Sequence, residues 1–361
     1  MSSLEAIFGR NTAVGNPLGI YSNYIGPPGL GRDFDPAFDL NNYVPFAAVD
    51  SRANVFFEED ISAAKVSEYT VSVGRALPRG GFAKLSYIDR ASDEFLDDFI
   101  TLDQGCSQVV VEGLDIGCFD NIVYRNTSGP FRDYQGLELQ AQYRLTDAWT
   151  LAGNVTYQMK NEGNYEGEGG QAIGTSLYGN RPEVYPQNRV NPVGRFDDYQ
   201  KYKVRLWTNY NLDLGRAGHL GVGALFAYDS GLTFSYVANS AATPQQRALN
   251  PGYQQLPNFQ YFFGERGVGD YDGSYTLNLA LNYDIPIWKT VSPWIKLDVR
   301  NVLNYDEPTG WNVAVRPTPG GPVDQFGIPT TFVKASTFGN PRNNLDFVVP
   351  REYRFSVGVR F

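Results

Sequence analysis

The feature that most constrains this chain is a strict two-residue alternation of apolar and polar side chains. The final segment shows it most clearly, because every second residue there is apolar or aromatic: Tyr353, Phe355, Val357, Val359 and Phe361. A period of two indicates a β-strand with one apolar and one polar face. The C-terminal segment is therefore predicted to be a strand that offers only one face to an apolar environment.

The same alternation recurs upstream and predicts an all-β protein. Nine segments show it, and they lie at 69–73, 83–87, 137–145, 149–157, 203–212, 220–228, 274–283, 295–300 and 353–361. A tenth strand is expected near Val44–Phe57, although Asp50 and Arg52 disturb its alternation. No helix of consequence is predicted.

The polar faces of these segments carry full charges near strand centres. The charged residues are Lys203, Arg205, Lys296, Asp298 and Arg300. Alternation alone also fits a β-sandwich, whose apolar faces meet inside. Aromatic residues at the ends of the apolar faces, such as Trp149 and Tyr157, instead favour a membrane barrel, because the two membrane interfaces attract them. The five charged residues are then predicted to line a wet lumen rather than to bind one defined ligand.

The connections between strands alternate in length. Turns at 77–81, 146–148, 213–218 and 284–293 are short or fairly short, whereas the stretches at about 89–132, 159–197, 230–272 and 304–350 are long. Loops of that length are unusual in compact domains. Short periplasmic turns and long extracellular loops are typical of an outer-membrane β-barrel. The sequence thus predicts an antiparallel transmembrane β-barrel, here a partial barrel of about 9–11 strands, with a periplasmic C-terminus.

Composition and charge exclude other classes. A formal charge of -9 argues against nucleic acid as a partner, because phosphate binding relies on clustered Lys and Arg. No stretch approaches the roughly 18 apolar residues of a transmembrane helix. A mean hydropathy of -0.34 still fits a barrel, since only alternate residues face lipid. The first residues, Met1–Glu5, lack signal-peptide features, so either the numbering omits a signal peptide or the chain is a fragment.

Several motifs resemble those of TonB-dependent receptors. The segment 352–361 resembles the closing strand that the barrel-assembly machinery reads, and 296–304 resembles the family's penultimate strand. The segment 132–139 is similar to one that opens a strand after a long loop, and 68–75 with 87–90 resembles the Oar-like subgroup. The resemblance implies a 22-stranded barrel with a plugged lumen, which takes up a bulky nutrient of unknown identity across the outer membrane.

The resemblance also sets the expected domain organisation and partners. Residues 1–42 are expected to be a loop-rich segment, and residues 43–361 the C-terminal portion of such a barrel, somewhat under half of it. The plug and the TonB box match nothing in this chain, so TonB would be contacted only through parts missing from it. Outer-membrane lipid and the barrel-assembly machinery are the other expected partners. Two alternatives stay open: a structural or adhesive surface protein, and a secreted β-rich enzyme such as a glycosidase.

The remaining candidate sites are few. Cys106 and Cys118 are the only cysteines and are predicted to form a disulfide in an oxidising compartment, the alternative being two reduced thiols. His219, the sole histidine, is interpreted as a turn residue, which argues against zinc and Ser-His-Asp catalysis. The acidic run 93–98 is interpreted as a solvated loop stem rather than a calcium site. The glycines at 221–223 and 264–269 lack the strand-to-helix context of a phosphate loop. No cofactor and no catalytic residue are predicted.

Overall fold

The computed structural model describes residues 19–24, 42–49, 54–111, 114–165, 180–286 and 291–360. Within them the protein is all-β, as predicted, and its two α-helices, Gln187–Val190 and Pro244–Leu249, are short. None of the helices described is long and apolar enough to cross a membrane. One-turn 3₁₀ segments lie at Pro78–Gly80, Leu102–Gln104, Gly215–Ala217 and Asn344–Asp346.

Nine long strands form one antiparallel sheet in which each pairs with its neighbours along the chain, and the two-residue strand Gly194–Arg195 joins the same sheet beside Trp149–Gly163. They are β1 (Lys65–Leu77), β2 (Gly81–Asp93), β3 (Arg132–Arg144), β4 (Trp149–Gly163), β5 (Tyr202–Asp213), β6 (His219–Asp229), β7 (Ser274–Asp284), β8 (Ser292–Arg300) and β9 (Glu352–Arg360). All nine alternating segments of the sequence are therefore strands. Several extend beyond the alternating stretch, because the neighbouring ladder also satisfies the backbone groups of the flanking residues.

The alternation of short and long connections is confirmed. At one end of the sheet the strands are joined by short connections, which are residues 78–80, 145–148, 214–218 and 285–291. At the other end they are joined by long connections, which are residues 94–131, 164–201, 230–273 and 301–351. In the tightest turn Arg79 and Gly80 have φ of 56° and 73°. Glycine adopts this left-handed conformation without a Cβ clash, and so it permits the sharp reversal.

Cross-strand register gives the sheet two chemically different faces. One row across five strands is apolar or aromatic and consists of Tyr210, Val222, Leu281, Leu297 and Phe355. The adjacent row on the opposite face is polar or small and consists of Asn211, Gly221, Asn282, Lys296 and Ser356. The apolar face is open in the described structure: Phe355 and Val357 are 67% and 65% exposed. A sandwich would bury that face against a second sheet.

The sheet is open, as expected of a partial barrel. β1 and β9 are its two edge strands, and in the described ranges neither pairs with a strand on its outer side. The expectation of a single tenth strand near Val44–Phe57 is wrong. Tyr43–Val49 pairs with Gly19–Tyr24, whereas Val55–Phe57 pairs in parallel with Ile122–Thr127. The polar residues Asp50 and Arg52, which interrupt the alternation, separate these two strands.

The buried core lies among the long loops rather than on the sheet. One cluster comprises Phe95, Tyr165 and Phe196, and another comprises Ile100, Val184, Tyr185 and Tyr253. The loops carry short strands of their own: Phe95–Phe99, Cys106–Val111, Leu114–Asp120, Ile122–Thr127, Gly194–Arg195, Thr233–Phe234, Val237–Ser240, Phe259–Phe262, Gly269–Asp270, Val315–Pro317 and Phe332–Lys334. The loops are thus a packed layer at one end of the sheet.

Candidate functional site

The five charged residues singled out from the sequence all lie on the polar face of the sheet. Arg205 donates from Nη2 to both carboxylate oxygens of Asp229, at 2.9 and 2.7 Å. Lys296 pairs with Asp298 at 3.0 Å, and Arg300 with Glu352 at 3.3 Å. Lys203 lies opposite Asp229 in the ladder. Arg205 and Arg300 are thus paired across neighbouring strands, and Lys296 is paired within its own strand.

The same face carries a cavity of about 620 Å³ over β5 to β9. Its charged lining alternates in sign and consists of Lys296, Asp298, Arg300, Glu352 and Arg354, beside Trp207, Asn209 and Asn278. Because most of the charges already have partners, this wall suits contact with water better than recognition of one strongly charged ligand.

A second cavity, of about 590 Å³, lies between the long loops. We call it the loop pocket and define it by its lining residues, which are Arg132, Phe196, Asp197, Asp198, Leu232, Thr233, Phe234, Ser235, Val237, Gln260, Phe262, Arg266, Tyr271 and Val313. Three of the four long loops and the first residue of β3 contribute to it. Its volume lies within the roughly 300–1,000 Å³ typical of small-molecule sites. Sequence reasoning missed it, because its residues are spread over some 180 positions of the chain and share no local pattern.

The charges of the loop pocket balance. Arg132 donates from Nη2 to Asp198 at 2.6 Å and from Nε to Asn161 at 3.0 Å. Arg266 lies with its guanidinium carbon 4.7 Å from the centre of the Phe262 ring. Partial burial raises the pKa of Asp197, and the nearby positive charge of Arg266 opposes that shift. Among the lining residues that the structure describes, two arginines and two aspartates give no formal net charge.

Close backbone contacts fix the shape of the loop pocket. Thr233 donates from Oγ1 to the Phe196 carbonyl at 2.6 Å, and the Gly267 N–H donates to Ser235 Oγ at 2.8 Å. A Cβ on Gly269 would collide with the Phe234 ring, so only glycine allows that approach. Such contacts hold the walls in place before a ligand arrives, which lowers the entropic cost of binding.

The two cysteines lie beside a junction of three loops. Cys106 and Cys118 form a disulfide across the hairpin Cys106–Asp120, with Cα atoms 5.6 Å apart. Asp120, opposite Cys106 in that hairpin, accepts from the Gln254 N–H at 2.8 Å and from Arg181 Nη2 at 3.4 Å. The carboxylate of Asp120 thus joins the loops 94–131, 164–201 and 230–273.

The acidic run at 93–98 is only partly a solvated stem, which corrects the sequence interpretation. Asp97 and Asp98 are both 3% exposed, because they belong to the strand Phe95–Phe99 that packs under the loops. Burial raises the pKa of Asp98, while hydrogen bonds with Asp97 and Asn180 and the charge of Arg181 oppose the shift. Among the residues that the structure describes, no group of three or more His, Cys, Asp or Glu could hold a metal ion.

The remaining candidates lie on an edge strand and at the end of an interior strand. Tyr353, Phe355, Val357 and Val359 are on the apolar face of the edge strand β9, and all four are at least half exposed. Phe361 lies outside the described residues. His219 opens β6 after a short turn, with its imidazole exposed and 3.5 Å from the Asp213 carboxylate.

No family model matches this sequence, and no curated protein is similar to it in sequence. Solved structures with a similar arrangement of strands include the ferripyoverdine receptor of the outer membrane of Pseudomonas aeruginosa, at 11% identity and a TM-score of 0.37, over 82% of this chain and 27% of that one. They also include the FrpB iron transporter from Neisseria meningitidis, at 14% identity and a TM-score of 0.41, over 85% of this chain and 32% of that one. A third is the outer-membrane transporter YddB from Escherichia coli, at 11% identity and a TM-score of 0.45, over 84% of this chain and 33% of that one. This chain spans about a third of the length of these proteins.

Proposed function

We propose that this chain is the C-terminal part of the outer-membrane β-barrel of a TonB-dependent-receptor-like importer, of the Oar-like kind. In this proposal residues 43–361 belong to the barrel portion, and the loops capture a bulky nutrient at the cell surface. The observation that carries the proposal is the two-faced antiparallel sheet, with short turns at one end and long packed loops at the other.

The physical basis is the requirement that backbone groups in lipid be paired within the protein. From β1 to β9, the antiparallel ladders pair the backbone groups of adjacent strands with one another. In a membrane the exposed apolar face would contact hydrocarbon, and the charged face would line the lumen. The same side chains would be costly on the surface of a water-soluble protein, because contiguous apolar patches of that extent drive association.

Aromatic pairs at both ends of the apolar face support membrane insertion. Trp149 and Tyr210 lie with ring centres 5.9 Å apart at the turn end, and Tyr157 stacks on Tyr202 at 5.1 Å at the loop end. Residues 149 and 157 of β4 are roughly 26 Å apart along an extended strand. A barrel tilt of about 40° reduces this to about 20 Å, so the rings would flank most of the roughly 25 Å apolar band.

The proposal also assigns orientation and partners. The C-terminus and the short turns face the periplasm, the loops face outward, and the apolar alternation from Tyr353 to Phe361 is what the barrel-assembly machinery reads. Outer-membrane lipid covers the apolar face. Contact with TonB would occur through a plug and a TonB box in the whole protein.

Single-cysteine labelling in intact cells tests the proposal. Leu345→Cys lies on a long loop, where Leu345 is 85% exposed, and Arg216→Cys lies in the short turn before β6. A membrane-impermeant maleimide should label Leu345→Cys in intact cells and Arg216→Cys only after the outer membrane is opened. The reverse pattern, or absence of the protein from the outer membrane, would contradict the proposed function.

A further inference from the structure

We infer that the loop pocket binds an uncharged, polyhydroxylated ligand, a sugar ring of an oligosaccharide, so that the captured nutrient is a carbohydrate. This inference rests on the proposed function and gives its substrate class. Three properties of the pocket lead to it: its charge balance, its mixture of donors and acceptors, and its combination of apolar and polar lining residues.

The charge balance argues against a strongly charged ligand. Arg132 is already paired with Asp198, and Arg266 lies near Asp197. An anionic ligand would meet the Asp197 carboxylate, and a cationic ligand would meet the Arg266 guanidinium. Placing a like charge beside either group is costly in a partly desolvated cavity. A neutral ligand avoids both penalties.

The free hydrogen-bonding groups suit hydroxyls. Asp197 is exposed to water, although nearby protein partly desolvates its carboxylate. In the described part of the chain, the Asp197 carboxylate accepts no hydrogen bond and the Gln260 side chain makes none. The carboxylate only accepts, whereas the amide of Gln260 both donates and accepts. A sugar hydroxyl donates and accepts at once, so adjacent hydroxyls on one ring can satisfy both groups. A ligand without hydroxyls or amides would remove water from both groups without replacing its hydrogen bonds, at a cost of about 1–3 kcal/mol for each group that the ligand buries.

Apolar side chains also line the pocket. Phe196 and Phe234 are almost fully buried, whereas Tyr271 and Leu232 are more exposed. Tyr271 is held in place by Phe234 at 4.9 Å and Trp311 at 5.0 Å between ring centres. A pyranose ring has a C–H face that packs on aromatic or aliphatic carbon and a rim of hydroxyls that bonds to polar groups. The lining of the pocket offers both kinds of group.

Isothermal titration of the whole protein, purified from outer membranes in detergent, tests the inference. The probes are cellohexaose, laminarihexaose, maltohexaose, xylohexaose and chitohexaose, with a neutral Gly-Ser hexapeptide as the competing class. We expect at least one oligosaccharide to bind, with a Kd that changes less than twofold between 50 and 500 mM NaCl, because a neutral ligand is not screened by salt. Asp197→Ala and Gln260→Ala should each weaken binding of that sugar by about tenfold, the loss of one or two hydrogen bonds.

Asp306→Ala is the matched control, since Asp306 is exposed on a long loop and does not line the pocket; it should leave the affinity unchanged. Heat-modified gel mobility establishes that each variant is folded. The inference is overturned if folded protein binds none of the five sugars, if it binds the peptide instead, or if Asp197→Ala and Gln260→Ala leave sugar binding unchanged. If the protein is folded and located in the outer membrane but binds none of the sugars, only the proposed substrate class is refuted. If the protein is absent from the outer membrane, the proposed function is refuted.

Discussion

Leu279 and Ala280 are neighbours on β7 yet belong to opposite faces of the sheet. Leu279 lies between Ala224 and Val299 in the apolar rows, and Ala280 lies between Gly223 and Asp298 in the polar rows. Both are at the centre of the strand Ser274–Asp284. A change of one position along the chain therefore moves a side chain from the proposed lipid contact to the proposed lumen.

That relationship predicts opposite effects of the same substitution. Leu279→Arg should hinder assembly, because an arginine on the lipid face near mid-bilayer costs about 2–4 kcal/mol. Ala280→Arg should be tolerated, because the new guanidinium lies beside Asp298 and reaches water. Folded yield in outer membranes, read from heat-modified gel mobility, measures both. Equal yields would contradict the assignment of the two faces.

Asn278 is a poorer control than Ala280, although it too lies on the polar face. Its Oδ1 accepts from the Asn301 N–H at 2.9 Å, and Asn301 is 2% exposed with a φ of 46°. Replacing Asn278 would leave a buried backbone donor unpaired at a strained position. Loss of folding in such a variant would report that hydrogen bond rather than the sidedness of the strand.

The disulfide should stabilise the hairpin that carries Asp120. Cross-linking residues 12 apart limits the freedom of the unfolded loop and contributes about 3 kcal/mol in the chain-entropy account. The variant with both Cys106→Ser and Cys118→Ser should therefore be cut by protease faster than the wild type within 94–131, while the sheet keeps its heat-modified mobility. Thiol labelling of denatured, unreduced wild-type protein should find no free thiol. Two reactive thiols would defeat this prediction.

Asp346 should make the longest loop sensitive to acid. It is buried, accepts from the Arg342 N–H at 2.5 Å and from Nη2 at 2.6 Å, and these bonds lower its pKa to about 2 from the usual 3.8. A carboxyl with a lowered pKa stabilises the fold above its unfolded pKa, and the effect is lost as the pH falls toward 2. Pepsin should therefore cleave 301–351 much faster at pH 2 than at pH 4.5.

Asp346→Asn separates this effect from general acid unfolding. The variant loses the charge that holds Arg342, so its loop should be cleaved rapidly already at pH 4.5, with little further change at pH 2. Asp306→Asn, at an exposed position on the same loop, should behave as the wild type does. Equal cleavage of Asp346→Asn and wild type at pH 4.5 would show that the ion pair does not hold the loop.

The strands could be predicted from sequence because their signal is local. A residue such as Leu279 is apolar and its neighbours are polar wherever the partner strand lies, so the period of two is readable without knowing the fold. The same holds for the turn at Arg79 and Gly80, whose composition marks a reversal. The loop pocket had no local signal. Arg132 and Arg266 converge on Phe196 only through the packing of three loops, and nothing in the spacing of these residues indicates that meeting.

Burial in the loops was unpredictable for the same reason. Asp97 and Asp98 have the composition of a solvated stem, yet the strand Phe95–Phe99 pairs with Ile122–Thr127 and lies beneath Arg181. The alternation near 44–57 predicts a single strand, yet Val55–Phe57 forms a separate strand that pairs with Ile122–Thr127. In both cases a distant segment supplied the hydrogen bonds, and such long-range pairing leaves no trace in a short stretch of sequence.

The last prediction concerns the two open edges of the sheet. On β1 and β9, alternate backbone N–H and C=O groups point away from the neighbouring strand, and an unpaired group in hydrocarbon costs several kcal/mol. Under the proposed function, we expect these groups to be bonded to further strands in the assembled protein. Amide hydrogen exchange should show slow exchange at every residue near the centres of β1 and β9, at rates like those of the interior strand β6. A free edge would instead show fast and slow amides at alternate positions, with the fast ones on the outer side. Fast exchange at alternate residues around Val71 and Phe355, in protein that is inserted in the membrane, would mean that the edges stay open and that this sheet is not part of a closed barrel.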